Sequence, residues 1–281
     1  MPIRFRRSAV PQTTRSIVVD GQPLRVAIRP GSARRVPLLL INGIGASLEL
    51  LQPFVDELPA SLEVIRFDVP GVGGSPLPAR PYRFTGLCRL IARMLSELGY
   101  EQADVLGISW GGGVAQHFAA FQRSHCRRLV LVSTATGALM VPARPSVLVH
   151  MLTPRRYFDP EYLRTVAPVL YGGSARVEPD QVSGLMHDGN RVGPAQGYVY
   201  QLAAGAGWTS LPFLPLLRQR TLILSGDDDP IIPLANPRLM RALIHRSELH
   251  VYHGGHLGLV TEAAELAPVV DRFLADGGAG G

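Results

Sequence analysis

No lysine occurs anywhere in the 281 residues: arginine supplies the whole basic complement of 28, against 22 acids, for a formal charge of +6. The arginines are spread along the chain and lack the interleaved aromatics of a nucleic-acid stripe, so nucleic acid is not the expected partner. Beside so much Ala, Gly and Pro, the bias reads as the compositional drift of a GC-rich genome. Arg4, Arg6 and Arg7 form the only dense basic group near a terminus and read as a solvated arm. Cysteine is nearly absent too. Cys88 and Cys126 stand far apart, without metal-ligand or redox spacing, and are expected to be buried reduced thiols. No apolar run approaches the roughly 18–20 residues needed to span a bilayer. The basic start is not followed by an apolar segment, which argues against a secretory signal and for a cytoplasmic protein. Neither Gly43-Ile-Gly45 nor Gly71-Val-Gly-Gly-Ser75 completes a dinucleotide or P-loop fingerprint, so no cofactor is expected, and no metal.

What is there centres on Ala103–Gln116. An apolar run of strand character leads into Gly107-Ile-Ser-Trp-Gly111, and good helix material follows. A serine in Gly-x-Ser-x-Gly between strand and helix is a nucleophile elbow. The turn forces Ser109 into a strained backbone conformation, and side chains at 107 and 111 would collide with neighbouring backbone. The hydroxyl then stands at the carboxyl end of the sheet, at a helix N-terminus whose amides face developing negative charge.

The surrounding chain reads as strands alternating with helices. Residues 16–29 form two strands around an Asp20-Gly21 turn. Residues 36–41 form a strand covered on both faces, and Ser47 is the expected cap of a helix bearing Leu48, Leu51, Phe54 and Val55. A strand at 62–67, a helix bearing Leu87, Ile91, Leu95 and Leu98, the elbow, and a strand at 128–133 follow. The alternation resumes with strands at 221–225 and 249–252, helices near 237–244 and 262–274, and a glycine tail at 277–281 expected to be disordered. The fold class is therefore α/β, a mostly parallel sheet with helices on both faces. Residues 137–214, rich in proline and aromatics and without a clean strand, read as an inserted, mainly helical lid. Residues 1–136 and 215–281 make the core domain. There is no internal repeat.

A nucleophilic serine needs a base, an orienting acid and an oxyanion site. The acid lies in Gly226-Asp-Asp-Asp-Pro230, where adjacent like charges forbid all three aspartates from being wanted ionised and buried. Asp229, just before Pro230-Ile-Ile-Pro233, is the choice, with Asp228 as the alternative. Of eight histidines, His253 and His256 lie on the loop leaving the last strand. His256, after two glycines, has the reach to meet Ser109, and His253 sits too near the strand end. The oxyanion donors are the backbone N–H groups of Trp110 and of Ile44, on the loop after the first long parallel strand.

Together these residues resemble the α/β-hydrolase family over nearly the whole chain. Asn42-Gly-Ile-Gly-Ala46, Phe67–Ser75, Pro81–Phe84, Gly107–Gly112, Tyr171-Gly-Gly173, Gly207–Ser210 and Gly226–Pro230 are similar to the intracellular depolymerases of medium-chain-length polyhydroxyalkanoates. The likeness extends through the lid. It implies a serine hydrolase cleaving poly(3-hydroxyalkanoate) esters with longer side chains, acting on storage granules in the cytoplasm, with the triad on Ser109, Asp229 and His256. The lid aromatics suit a greasy ester, with Met140, Tyr171 and Trp208 as candidate substrate contacts, although most lid aromatics should form the lid's own core. Arg155 and Arg156 read as a solvated pair, with a carboxylate or anionic lipid as the alternative partner. The rival readings are a soluble esterase, thioesterase or lactonase with the same triad, and a non-catalytic granule-binding protein. A polymerising acyltransferase would carry cysteine at 109, and a dehalogenase or epoxide hydrolase aspartate.

Overall fold

A computed structural model of the chain describes residues 12–187 and 190–276. Eight strands form one sheet: β1 Thr13–Val19, β2 Gln22–Arg29, β3 Leu38–Ile41, β4 Val64–Phe67, β5 Ala103–Ile108, β6 Cys126–Val132, β7 Arg220–Gly226 and β8 Ser247–Tyr252. Their spatial order is β1-β2-β4-β3-β5-β6-β7-β8, parallel from β4 onward, with β2 antiparallel to both β1 and β4. The expected hairpin is there. Asp20 and Gly21 both hold positive φ (49° and 78°), which a two-residue turn between twisted strands demands.

The unbroken apolar runs have a simple cause: both faces of the sheet are covered. Leu38, Leu40, Leu106 and Val130 project into a core shared with helices α1 Gln52–Glu57, α10 Gly258–Thr261 and α11 Ala263–Ala275. The alternate residues Leu39, Ile41, Val105 and Leu129 project into a second core with α2 Phe84–Glu97, α3 Trp110–Phe121 and α9 Ala235–Leu243. Both cysteines are buried and free.

Among the described residues, five α-helices intervene between β6 and β7: α4 Pro145–Met151, α5 Arg155–Phe158, α6 Pro160–Tyr171, α7 Pro179–His187 and α8 Ala195–Gly205. The two ends of this segment lie side by side. Gly137 bridges Thr209, Ala138 donates to the Trp208 carbonyl (2.7 Å), and Ser210 donates to that of Thr136 (3.0 Å).

Strand order reverses between β3 and β5, which share the register Leu40–Leu106, because β4 lies on one side of β3 and β6 on the far side of β5. The loops leaving these two strands diverge there and open a crevice at the carboxyl edge.

One expectation changes. Ser47 caps no helix: α1 starts at Gln52 with Leu51 at its N-cap, preceded by turns at Ser47–Leu50 and Glu49–Gln52. The fully buried Ser47 hydroxyl is held by Glu49 and Asn190, and it accepts from the Arg191 amide (2.9 Å). Tertiary partners outbid the local capping signal. The glycine tail and the terminal arginine group fall outside the described residues.

Candidate active site

Ser109 follows β5 as the N-cap of α3, with φ 54° and ψ −119°, a conformation that non-glycine residues rarely adopt and that costs of order 1–3 kcal/mol. The turn is enforced from both sides. A Cβ at Gly107 would come 2.3 Å from the Gly111 carbonyl oxygen, and one at Gly111 2.2 Å from that of Ile41. The serine amide donates to Val132 on β6 (2.9 Å), and its carbonyl accepts from the Thr134 hydroxyl (2.7 Å). Fixed main chain above and below leaves the side chain one direction.

The three consecutive aspartates separate cleanly. Asp227 binds His253 (3.0 Å), on an imidazole side chain that is 96% exposed. The hydrogen bond to His253 lowers the Asp227 pKa, and the same bond raises that of His253. Asp228 takes a bidentate contact from Arg176 (2.6 and 2.9 Å), which lowers its pKa, and it accepts from the Gly173 amide (2.7 Å). Asp229 alone is buried. Its carboxylate contacts His256 Nδ1 at 2.8 and 3.1 Å and accepts the Ile231 and Ile232 amides, both at 2.9 Å. The Pro230-Ile-Ile turn therefore fixes the carboxylate, and the carboxylate fixes the imidazole. With its Nδ1 proton directed at Asp229, His256 presents Nε2 as a base.

His256 is set by more than its acid. Its amide donates to the Tyr171 carbonyl (2.7 Å), and its ring lies nearly parallel to the Tyr171 ring, 13° between planes. A Cβ at Gly255 would sit 2.1 Å from the Tyr171 carbonyl oxygen, so glycine is required for the loop to approach α6.

Ser109 and His256 line one cavity of about 30 Å³, together with Ile44, Tyr157, Tyr171 and Arg156. Ile44 stands on the loop after β3, and Trp110 opens α3. Among the described residues neither amide donates to a protein acceptor, so both remain available for an anion. The loop that carries Ile44 is held from the helical segment: the Tyr157 hydroxyl donates to the Ile44 carbonyl (2.5 Å), and the Gly45 amide to Gln201 Oε1 (2.7 Å).

The structure brings together Ser109, Asp229, His256, Ile44 and Tyr171. It does not bring Trp208 or Met140 to the cavity. Trp208 packs on Phe84 (4.9 Å between centroids) and donates to His117 Nδ1 (3.2 Å), in an aromatic cluster that also holds Phe213. Met140 packs, half-buried, against the larger core. Aromatic content marked the segment as apolar without saying which side chains turn inward.

The expected arginine pair splits as well. Arg155 is exposed and pairs with Asp159 (3.0 Å), whereas Arg156 is 1% exposed and lines the cavity. Tyr157 and Gln201 are the site residues that the sequence did not single out. Their partners Ile44 and Gly45 lie 113 and 156 positions away in the chain.

The chain belongs to the α/β-hydrolase fold family, which matches residues 36–263. Within that family it is 49% identical over 265 residues to the poly(3-hydroxyalkanoate) depolymerase of Ectopseudomonas oleovorans, covering 94% of this chain and 93% of that one. It is also 30% identical over 285 residues to the 2-hydroxymuconate semialdehyde hydrolase of Pseudomonas sp. strain CF600, covering 95% of each. Among solved structures, a hydrolase from Pseudomonas aeruginosa PA01 superposes with a TM-score of 0.79 at 22% identity, over 93% of this chain and 98% of the other. That likeness concerns the fold. The chain is a hydrolase, and no helix among its described residues is long and apolar enough to cross a membrane.

Proposed function

We propose that this chain hydrolyses the ester bonds of poly(3-hydroxyalkanoates), preferring medium-chain-length side chains, through an acyl-enzyme on Ser109. Ser109 Oγ attacks the ester carbonyl as His256 Nε2 takes its proton. His256 returns that proton to the departing 3-hydroxyl, while Asp229 holds the ring and stabilises the imidazolium. The amides of Ile44 and Trp110 bind the tetrahedral oxyanion, a contribution of about 3–4 kcal/mol per donor in comparable sites. Water then releases a 3-hydroxy acid or short oligomer. The observation that carries this reading is the buried Asp229–His256 pair sharing a cavity with a strained elbow serine. The likeness to the Ectopseudomonas depolymerase supplies the substrate class.

Residues 137–214 act as a lid over the carboxyl edge. A cavity of about 30 Å³ is far below the several hundred Å³ of pockets that bury small ligands, so a medium-chain acyl group enters only when α4–α8 move. Leu148, Val149, Leu152 and Phe158 stand exposed on and beside α4 and α5, a surface suited to a polyester granule in the cytoplasm.

The test is clearing of a poly(3-hydroxyoctanoate) latex by the purified protein, beside Ser109→Ala and a poly(3-hydroxybutyrate) latex. Clearing of the long-chain polymer alone, lost in the variant, supports nucleophile and substrate together. Intact hydrolysis of p-nitrophenyl octanoate without clearing keeps the triad and sinks the polymer.

A further inference from the structure

Arg156 is the buried cation of the cavity, and the hydrolytic mechanism does not use it. It is among the largest fully buried side chains of the protein, and it lines the same cavity as Ser109 and His256. Its Nη1 reaches only two carbonyls, of His150 (3.2 Å) and Thr153 (3.3 Å). Its Nε is buried without a hydrogen-bond partner. The aromatic faces beside it belong to Tyr157 (4.8 Å) and Tyr198 (5.3 Å), and the phenols of Tyr157, Tyr171 and Tyr198 surround it. Burial holds the phenols of Tyr171 and Tyr198 above their ordinary range, so neither serves as a counter-ion near neutrality. Among the described residues no carboxylate pairs with this guanidinium. Gln201 Nε2 and Asn42 Oδ1 are also buried without a partner near the site, but of these groups only Arg156 carries a charge, a desolvated fork of donors without an anion.

We propose that Arg156 is a carboxylate subsite that receives the free carboxyl terminus of the polyester, making the enzyme exo-acting from that end. The proposal rests on the polyester reading above. A poly(3-hydroxyalkanoate) chain is neutral along its length and carries one formal charge, at the carboxyl terminus. That charge belongs to the alcohol side of the last ester bond, so Arg156 binds the leaving group. Arg156 and Ser109 line the same cavity, so in the opened cavity a carboxylate held on Arg156 sets the last ester bond toward Ser109. Ser109 Oγ bonds to the penultimate acyl carbon and its proton passes to His256. The ester C–O bond breaks, the leaving oxygen takes that proton, and the terminal unit departs as a 3-hydroxy acid with its carboxylate on Arg156. Water, deprotonated by His256, then cleaves the acyl-serine, and the proton returns to Ser109 Oγ. The polymer leaves one unit shorter with a new carboxyl terminus.

The wild-type enzyme decides this without a variant. Its kcat/KM on the linear dimer of 3-hydroxyoctanoate is compared with that on the methyl ester of the same dimer. The expected preference for the free acid is roughly 100-fold, as for a buried site built to bind a charged group. Arg156→Gln should bring the ratio close to one, an effect that a purely structural arginine would not have, since folding defects lower both rates alike. Equal rates, or preference for the methyl ester, in the wild type overturn the subsite. In a second arm, 3-hydroxyoctanoate should inhibit p-nitrophenyl butyrate hydrolysis at least tenfold more strongly than 3-hydroxyoctanamide; equal inhibition also overturns it. If the acid preference holds but poly(3-hydroxyoctanoate) latex is not cleared, the subsite stands and the depolymerase reading falls.

Discussion

The hydroxyl of Tyr157 donates to the carbonyl oxygen of Ile44 across 113 positions of sequence, at 2.5 Å. One end of the peptide unit that follows Ile44 is thereby fixed by the helical segment, and the other end by Gln201 through the Gly45 amide. The direction of the neighbouring Ile44 amide follows from this clamp. Tyr157→Phe should lower kcat on p-nitrophenyl esters roughly tenfold, about 1.4 kcal/mol of barrier, with a smaller change in KM. Unchanged kcat would show that the loop holds its shape unaided.

The elbow stores strain at Ser109. Ser109→Gly should abolish turnover and yet raise Tm, because glycine adopts positive φ without the cost of order 1–3 kcal/mol borne by serine. Thermal unfolding of wild type, Ser109→Ala and Ser109→Gly gives the comparison. The idea fails if glycine is no more stable than alanine.

Substitution should tell the three aspartates apart. Asp229→Asn is expected to lower kcat about 10⁴-fold, since an amide no longer orients and stabilises the imidazolium. Asp228→Asn and Asp227→Asn should leave kcat within a few-fold. Both carboxylates are partly exposed, so solvent screens each pairing. The Asp228 pKa is lowered by Arg176 in the fold, so its small contribution is complete above the ordinary carboxylate range and is lost as pH falls through the lowered value. A comparable collapse of kcat in Asp228→Asn would reassign the acid.

Trp208 should matter to stability rather than to substrate. Trp208→Phe removes the bond to His117 Nδ1 and is expected to lower Tm while kcat/KM stays within a few-fold. Burial lowers the pKa of His117, so its neutral form stabilises the fold above the ordinary histidine value, near 6.5, and that stability is lost as pH falls through the lowered value. Urea unfolding across that acidic window should show the loss, and His117→Gln should flatten it.

The sheet and the strained turn at Ser109 were legible because each depends on near neighbours in the chain. The alternation of buried residues reflects a sheet covered on both faces, and Pro230-Ile-Ile supplies the amides that hold Asp229. Ser47 was misread for the opposite reason. Its hydroxyl is claimed by Asn190, 143 positions away, and no local signal announces that partner. Trp208, Met140 and Arg156 share this difficulty: composition showed an apolar, arginine-bearing segment, but inward and outward faces are set by packing on the core.

The pinch at Gly137 and Thr209, where the helical segment leaves and rejoins the sheet at one place, bears on the chain's history. An excursion with adjacent ends is a cassette: lineages can exchange it while β6 and β7 go on pairing beneath. The trade is restricted, however, because Tyr157 and Gln201 travel with the cassette and the loop they grip does not. A newcomer has to bring its own grip on Ile44 and Gly45, so new specificity and retained reactivity are inherited as one package.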